Sequence, residues 1–127
     1  MKTLLLAIAI MSVSTMSNAQ TKKQAPKPML RHAVLFKFKD TSTPEDIKKV
    51  EEAFKALPSK IKEISGYEWG TNNSPENLNQ GFTHLFFLTF KSEADRAVYL
   101  PHPDHKAFGA ILGPHLDKVL VLDYWTK

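Results

Sequence analysis

The sequence predicts an α+β fold, with one four-stranded antiparallel sheet that carries helices on one face. Strand-like and helix-like segments alternate in the order strand, helix, strand, strand, helix pair, strand. The length of 127 residues suits a single domain with one modest core. Segments 82–90 and 119–124 carry large apolar side chains on both faces, so we expect both strands to be covered from two sides.

Residues 1–19 have the pattern of a signal peptide. Lys2 precedes an apolar run over 4–11, and small residues follow at 17–19. We expect cleavage after Ala19 and export to the periplasm or the exterior, with no membrane attachment afterwards. An uncleaved anchor is the alternative, which we disfavour because the run is shorter than the ~20 residues of a membrane span.

The composition excludes disulfides and argues against a nucleic-acid partner. The chain has no cysteine, so neither disulfides nor a lipid-modified cysteine is available. Loss of Lys2 leaves 16 basic and 13 acidic residues, and the lysines are interspersed with glutamates. We therefore expect no nucleic-acid partner. Residues 20–29 are polar and contain two prolines, which predicts a flexible linker ahead of a domain over 30–127.

The first strand and helix have clear signals. Residues 30–38 are rich in β-forming side chains, and alternation places His32 on the same face as Val34, Phe36 and Phe38. Thr43 and Pro44 then predict a helix start. Its apolar stripe is Ile47, Val50, Phe54, Leu57 and Ile61. We expect Pro58 to end this helix or to break its last turn.

The middle of the chain predicts a hairpin and a second helix. Strand candidates cover 64–73 and 82–90, joined by a polar loop over 71–81 that we interpret as a plain connection rather than a lid. His84 lies on the same face of the second strand as Phe86. Ser92 predicts the start of the next helix, which ends at Tyr99.

The segment Tyr99-Leu100-Pro101-His102-Pro103-Asp104-His105 is the densest cluster of chemical groups. Pro103 suits the first position of a helix, which makes His102 its N-cap and puts His105 in the first turn. Residues three apart share a helix face, so both imidazoles are predicted to face one space. This spacing fits three roles: a structural helix corner, a catalytic site, or a metal site of His102, Asp104 and His105. We disfavour the metal because such closely spaced residues rarely converge on one ion.

The third helix and last strand complete the pattern. Phe108, Ile111 and Leu112 form a short stripe before Gly113, where we expect the helix to stop, and the closing strand covers 119–125. Two helices can cover only one side of such a sheet. The other side would expose a large apolar patch, so we expect a two-fold homodimer with sheets packed face to face.

These residues also resemble a known family. The segments at 32–39, 81–84, 99–105 and 121–124, with Phe108, are similar to the stress-responsive dimeric A/B barrel (Dabb) family over nearly all of residues 30–125. The resemblance implies a ferredoxin-like protomer whose sheets pair into a dimeric α+β barrel.

The family resemblance also implies site residues. One plant member cyclises a polyketide, and its motif positions correspond here to Tyr99, His105 and His32. We expect His105 to act as the base, Tyr99 to hydrogen-bond an enolate oxygen, and His32 to orient a small carbonyl-containing substrate. The remaining substrate-contacting candidates are His102, His84 and Phe108. This scheme needs no metal or organic cofactor.

A role without catalysis remains open at this point. The same barrel is suited to binding a small hydrophobic ligand or a protein partner, with its histidines holding the helix corner. Export itself argues mildly against polyketide cyclisation, because such substrates are made in the cytoplasm.

Overall fold

The computed structural model describes residues 21–127, so the predicted signal peptide, its cleavage site and Gln20 lie outside the described residues. The elements are β1 (Leu30–Phe38), α1 (Pro44–Lys60), β2 (Gly66–Thr71), β3 (His84–Phe90), α2 (Glu93–Tyr99), α3 (Pro103–Leu112) and β4 (Leu116–Trp125), with one 3-10 turn at Gly113–His115. All strand pairs are antiparallel in the order β2-β3-β1-β4. The predicted ferredoxin-like α+β fold is therefore confirmed.

The start of α1 follows the prediction, but its end does not. The Thr43 hydroxyl accepts a hydrogen bond from the Asp46 amide, and the Asp46 carboxylate accepts one from the Thr43 amide. Pro58 lies inside the helix, which continues to Lys60. The expectation that Pro58 ends or breaks the helix is wrong, because a proline in the last turn removes only one hydrogen bond.

The predicted second and third strands are longer than the observed β2 and β3, and the predicted last strand is shorter than the observed β4. The turn before β3 contains Gln80 and Gly81 at positive φ, and the Phe82 amide donates to the Asn79 carbonyl. Phe82 is thereby held in the turn outside β3. In contrast, β4 starts three residues before Val119, because a bulge in its pairing with β1 lets Leu116 pair with Phe38.

The predicted linker contains no helix or strand over 21–29, and its last residue is attached to the domain. The Met29 amide donates to the Thr126 hydroxyl at 2.9 Å, and the Thr126 amide donates to the Met29 carbonyl at 2.9 Å. These two bonds bring the start and end of the folded domain together beside the β1–β4 pair. None of the helices within residues 21–127 is both long and apolar enough to cross a bilayer.

The core lies between the sheet and the helices. Phe54 of α1 stacks on Phe86 of β3 with ring centroids 4.2 Å apart, and Phe36 of β1 packs beside both rings. The opposite sheet face carries the exposed side chains Leu85, Leu120, Leu122 and Tyr124. We call these four residues the open face. They confirm the prediction that β3 and β4 are apolar on both sides.

Candidate active site

The corner between α2 and α3 brings Tyr99 and His105 together. Tyr99 ends α2 and is only 1% exposed, and its ring centroid lies 4.3 Å from that of His105 in the first turn of α3. The Nδ1 of His105 lies 2.9 Å from the Leu100 carbonyl oxygen. Because a carbonyl only accepts, Nδ1 carries the proton. Neutral His105 therefore keeps its lone pair on Nε2, where a base needs it.

The hydroxyl of Tyr99 is suited to donating a proton in a hydrogen bond rather than to removing one. Burial raises the pKa of Tyr99 above its ordinary value of 10, because a phenolate would lose its hydration. No hydrogen bond to this hydroxyl forms within residues 21–127, so the donor is available to a ligand. The Tyr99 hydroxyl supplies a donor, and the Nε2 of His105 in its neutral form supplies an acceptor at the same corner.

His32 reaches the same corner from the sheet. Its ring contacts Tyr99 and Phe90 edge-on, with centroids 5.7 and 6.0 Å away. Its Nδ1 lies 2.7 Å from the Asp123 carboxylate on β4, and the second Asp123 oxygen accepts a bond of 2.7 Å from Arg96 on α2. A carboxylate acceptor fixes the proton of neutral His32 on Nδ1 and fixes the ring orientation.

A cavity of about 400 Å³ joins these groups. Its lining includes His32, Tyr99, His105 and Phe108, which are four of the six residues predicted for the site. The rest of the wall is mainly aliphatic and aromatic, with Val34, Phe36, Phe54, Leu112, Leu116, Val119 and Val121. Cavities of this size with a few convergent polar groups are typical of small-ligand sites. The structure therefore joins the three predicted catalytic side chains in one apolar cavity.

His84 lies elsewhere in the core. Its Nε2 is 2.9 Å from the Glu51 carboxylate on α1, and its Nδ1 is 2.7 Å from the Thr83 hydroxyl. The ring stacks against Trp69 at the β2 end of the sheet. Register explains the separation, because His84 pairs with Phe36 while His32 pairs with Leu88, four residues along β3. The structure does not bring His84 to the cavity.

His102 also lies outside the cavity lining. Its Nδ1 accepts a hydrogen bond of 3.1 Å from the Asp104 amide, which confirms the predicted N-cap of α3. Capping directs the His102 ring at the helix end, whereas His105 turns to the Leu100 carbonyl, so the prediction that both imidazoles share one space is wrong. Within residues 21–127, no group of three histidine or acidic residues is arranged to hold a metal ion.

The sequence analysis missed Asp123, Arg96 and Gly109. The signal for Asp123 was present, because it is the one acid in the segment 119–125 and alternates with Val119 and Val121. Its pairing with His32 depends on the β1–β4 register, which the sequence does not give. Gly109 follows Phe108 on the cavity side of α3 and lines the cavity.

A second cavity, of about 420 Å³, lies on the other side of the sheet beneath the loop after β2. Leu85 of the open face contributes to it, together with Leu35, Phe87 and the polar loop residues Asn72 and Asn79. Glu68 is the one titratable residue in its lining. The three predicted catalytic residues line the helix-side cavity and not this one.

Comparison with known sequences finds one family over the whole described domain. The model of the stress responsive A/B barrel domain matches residues 30–126. The chain is 41% identical over 98 residues to stress-response A/B barrel domain-containing protein HS1 of Arabidopsis thaliana, covering 77% of this chain and 90% of HS1. It is 28% identical over 98 residues to olivetolic acid cyclase of Cannabis sativa, covering 77% and 97% of the two chains.

Solved structures show the same architecture. The chain is similar to hydroxynitrile lyase from Passiflora edulis, with a TM-score of 0.74, 28% identity, and coverage of 80% of this chain and 96% of the lyase. It is also similar to a dimeric protein of ferredoxin-like fold from Bacteroides fragilis, with a TM-score of 0.64 and 31% identity over 77% of this chain and 96% of that one.

Proposed function

This chain belongs to the stress responsive A/B barrel domain family, and we propose that it is a cofactor-independent lyase or cyclase acting on a small carbonyl-containing substrate. The observation that carries the proposal is the placement of Tyr99, His105 and His32 around one apolar cavity. Relatives named as a cyclase and a lyase support the reaction class. Family membership alone leaves the reaction open, so the argument rests on the site.

The first proposed step is proton abstraction by His105. Its Nε2 takes the proton from the carbon next to the substrate carbonyl, and the electron pair of that C–H bond forms an enolate. The Leu100 carbonyl accepts from Nδ1 and holds the ring in the tautomer that makes Nε2 basic. The imidazolium that forms keeps this hydrogen bond and returns the proton later.

The second element of the proposal is stabilisation of the enolate oxygen by Tyr99. A phenol with a raised pKa stays protonated, so it donates a hydrogen bond as negative charge develops. The apolar residues around Tyr99 strengthen that bond, because they offer it no competing polar group. His32, held by Asp123, orients the substrate carbonyl from the sheet side.

The test is carbon-bound hydrogen exchange, since it needs no knowledge of the natural substrate. We expect the protein to accelerate deuterium uptake next to the carbonyl of 2-octanone in D₂O, followed by NMR. His105→Ala and Tyr99→Phe should each lower this rate by on the order of 100-fold, the usual contribution of a general base or an oxyanion donor. His115→Ala is the matched control, because His115 lies outside the cavity lining.

An unchanged rate of deuterium uptake in both variants would contradict the catalytic scheme. The alternative function, ligand binding or partner recognition without turnover, would then stand if His105→Ala also lowers the melting temperature strongly. In that case the imidazole serves to hold the helix corner through Leu100.

We also propose that the protein is exported and works as a homodimer. Structures similar to this one are described as dimeric ferredoxin-like proteins, and the open face gives a second copy an apolar surface to cover. Export after cleavage behind Ala19 rests on the pattern of residues 1–19. Mass spectrometry of the protein secreted by its own cell would show Gln20 as the first residue, and an intact Met1 would contradict the cleavage.

A further inference from the structure

The short helix α2 packs little apolar surface against the sheet. Tyr99 is its one buried residue, whereas Val98 and Leu100 on either side of Tyr99 are 46% and 48% exposed. Arg96 lies one turn before Tyr99, on the same face of the helix. Its guanidinium donates a hydrogen bond of 2.7 Å to the Asp123 carboxylate on β4. This bond between two charged groups is therefore one of the few contacts that fix α2 on the sheet.

Both oxygens of the Asp123 carboxylate have a partner. One lies 2.7 Å from Nδ1 of His32, and the other accepts the bond from Arg96. In residues 21–127, Asp123 is the one acid within ion-pair distance of Arg96. The Asp123 side chain is 24% exposed, so with one partner alone it could rotate and bind water instead. Arg96 therefore restricts Asp123 to the orientation in which it accepts from His32.

The same arginine is connected to the α2–α3 corner through the backbone. The Arg96 carbonyl accepts a hydrogen bond of 3.0 Å from the Leu100 amide, and the Leu100 carbonyl lies 2.9 Å from Nδ1 of His105. Arg96 thus has a side-chain link to His32 on the sheet and a backbone link to His105 on α3. A misplacement of a reacting group by ~1 Å can lower a rate ~100-fold, so the distance between these two elements matters to the reaction.

We propose that Arg96 is a positioning residue of this site, which fixes Asp123 and thereby sets the place of His32 relative to Tyr99. The inference rests on the proposed function, because it concerns the same reaction. Arg96 is outside the cavity lining, so its effect on a bound substrate passes through other residues. The proposal predicts that Arg96 matters to turnover rather than to substrate binding, and only while His32 is present.

Proton NMR of the full mature chain tests the positioning without turnover. The proton on Nδ1 of His32 should give a resolved downfield signal, identified by its loss in His32→Gln, because the bond to a carboxylate slows its exchange with water. Arg96→Met should broaden this signal beyond detection. The matched control is Lys91→Met, which removes one positive charge just before α2 and should leave the signal unchanged. A retained signal in Arg96→Met, its loss in Lys91→Met, or its absence from the native chain would each overturn the proposal.

Deuterium uptake by 2-octanone then tests whether Arg96 acts through His32. Arg96→Met should lower kcat about tenfold and leave KM within about twofold, because Arg96 is outside the cavity lining. In a His32→Gln background the same substitution should lower kcat no further, since residues that act as one unit are not additive. A change confined to KM, or equal losses of kcat in the two backgrounds, would contradict the role of Arg96. Absence of uptake with the native chain would instead contradict the proposed function, and the NMR signal of His32 would still decide whether Arg96 positions the ring.

Discussion

At the scale of single residues, burial keeps the hydroxyls of two tyrosines in their neutral form. Tyr99 and Tyr67 both lose hydration in the folded chain. Burial, reinforced by Glu52, raises the pKa of Tyr67 to about 12, and burial alone raises the pKa of Tyr99. Neither residue gains a protein partner for its hydroxyl among the described residues, and the Tyr67 oxygen is fully buried. Tyr99 lines the helix-side cavity, where a ligand can reach it, whereas Tyr67 does not.

Stability at high pH should reveal the buried phenol of Tyr99. Its folded-state pKa lies above the unfolded value of 10, so its contribution to stability is complete below pH 10 and is lost as pH rises beyond it. The unfolding free energy of the native chain should fall by about 1.4 kcal/mol per pH unit more steeply than that of Tyr99→Phe in this range. Urea unfolding between pH 8 and 12 measures both slopes, and parallel curves would contradict the burial argument.

The hydroxyl of Tyr67 should be dispensable. Because it is buried without a partner, Tyr67→Phe removes a desolvated polar group and keeps the ring packed on Phe54, 5.9 Å between centroids. We expect unfolding free energy to stay level or rise by about 1 kcal/mol in urea denaturation. A loss of that size would mean that the hydroxyl has a partner in solution.

At the scale of elements, capping residues close in sequence determine where the helices start, whereas turns and strand pairing determine where β3 and β4 start. Thr43 and Ser92 cap their helices as their types predict, and His102 caps α3 as predicted from Pro103. The starts of β3 and β4 were missed, because a turn at Gln80 and a bulge beyond Lys37 set them. The predicted cavity residues came from one corner and one strand. The sequence analysis did not find Asp123, because its contact with His32 depends on the β1–β4 register. It did not find Gly109, because that residue lines a cavity that only the folded chain shows.

The capping box of α1 gives a prediction at this scale. Thr43→Ala removes the acceptor for the Asp46 amide and should lower unfolding free energy by about 1 kcal/mol. Hydrogen bonds from the backbone and side chain of Thr43 lower the pKa of Asp46. The stabilisation by this cap is therefore complete above the ordinary pKa of the carboxyl group and is lost as the pH falls through the pKa of Asp46 in the folded chain. Thr41→Ala, in the exposed turn before the helix, is the control. Equal stability of the two variants at pH 7 would argue against the cap.

At the scale of the whole molecule, the open face of the sheet is the basis for the proposed second copy. The helices pack on one face of the sheet, whereas the open face exposes 58% of Leu122 and 49% of Tyr124. This asymmetry was readable from the sequence, since 119–122 is a run of four apolar residues with no polar alternation. The sequence analysis expects the two sheets to pack face to face, but it does not give the angle between them, because that angle depends on shape complementarity between the faces.

Leu122→Glu should separate the copies. A carboxylate on the open face loses its hydration if the second sheet covers it, so we expect the sedimentation mass to fall from dimer to protomer. Lys55→Glu on α1 should leave the mass unchanged. A native chain that already sediments as a protomer would contradict the assembly, whatever the cavity binds.

The position of β4 in the sheet affects how readily the chain aggregates while it folds. β4 is at the edge of the sheet, and its centre, Val119 to Leu122, has no charge, proline or glycine. Such an edge is a template for cross-β stacking until something shields it. We therefore expect aggregation through this edge to increase with protein concentration during refolding.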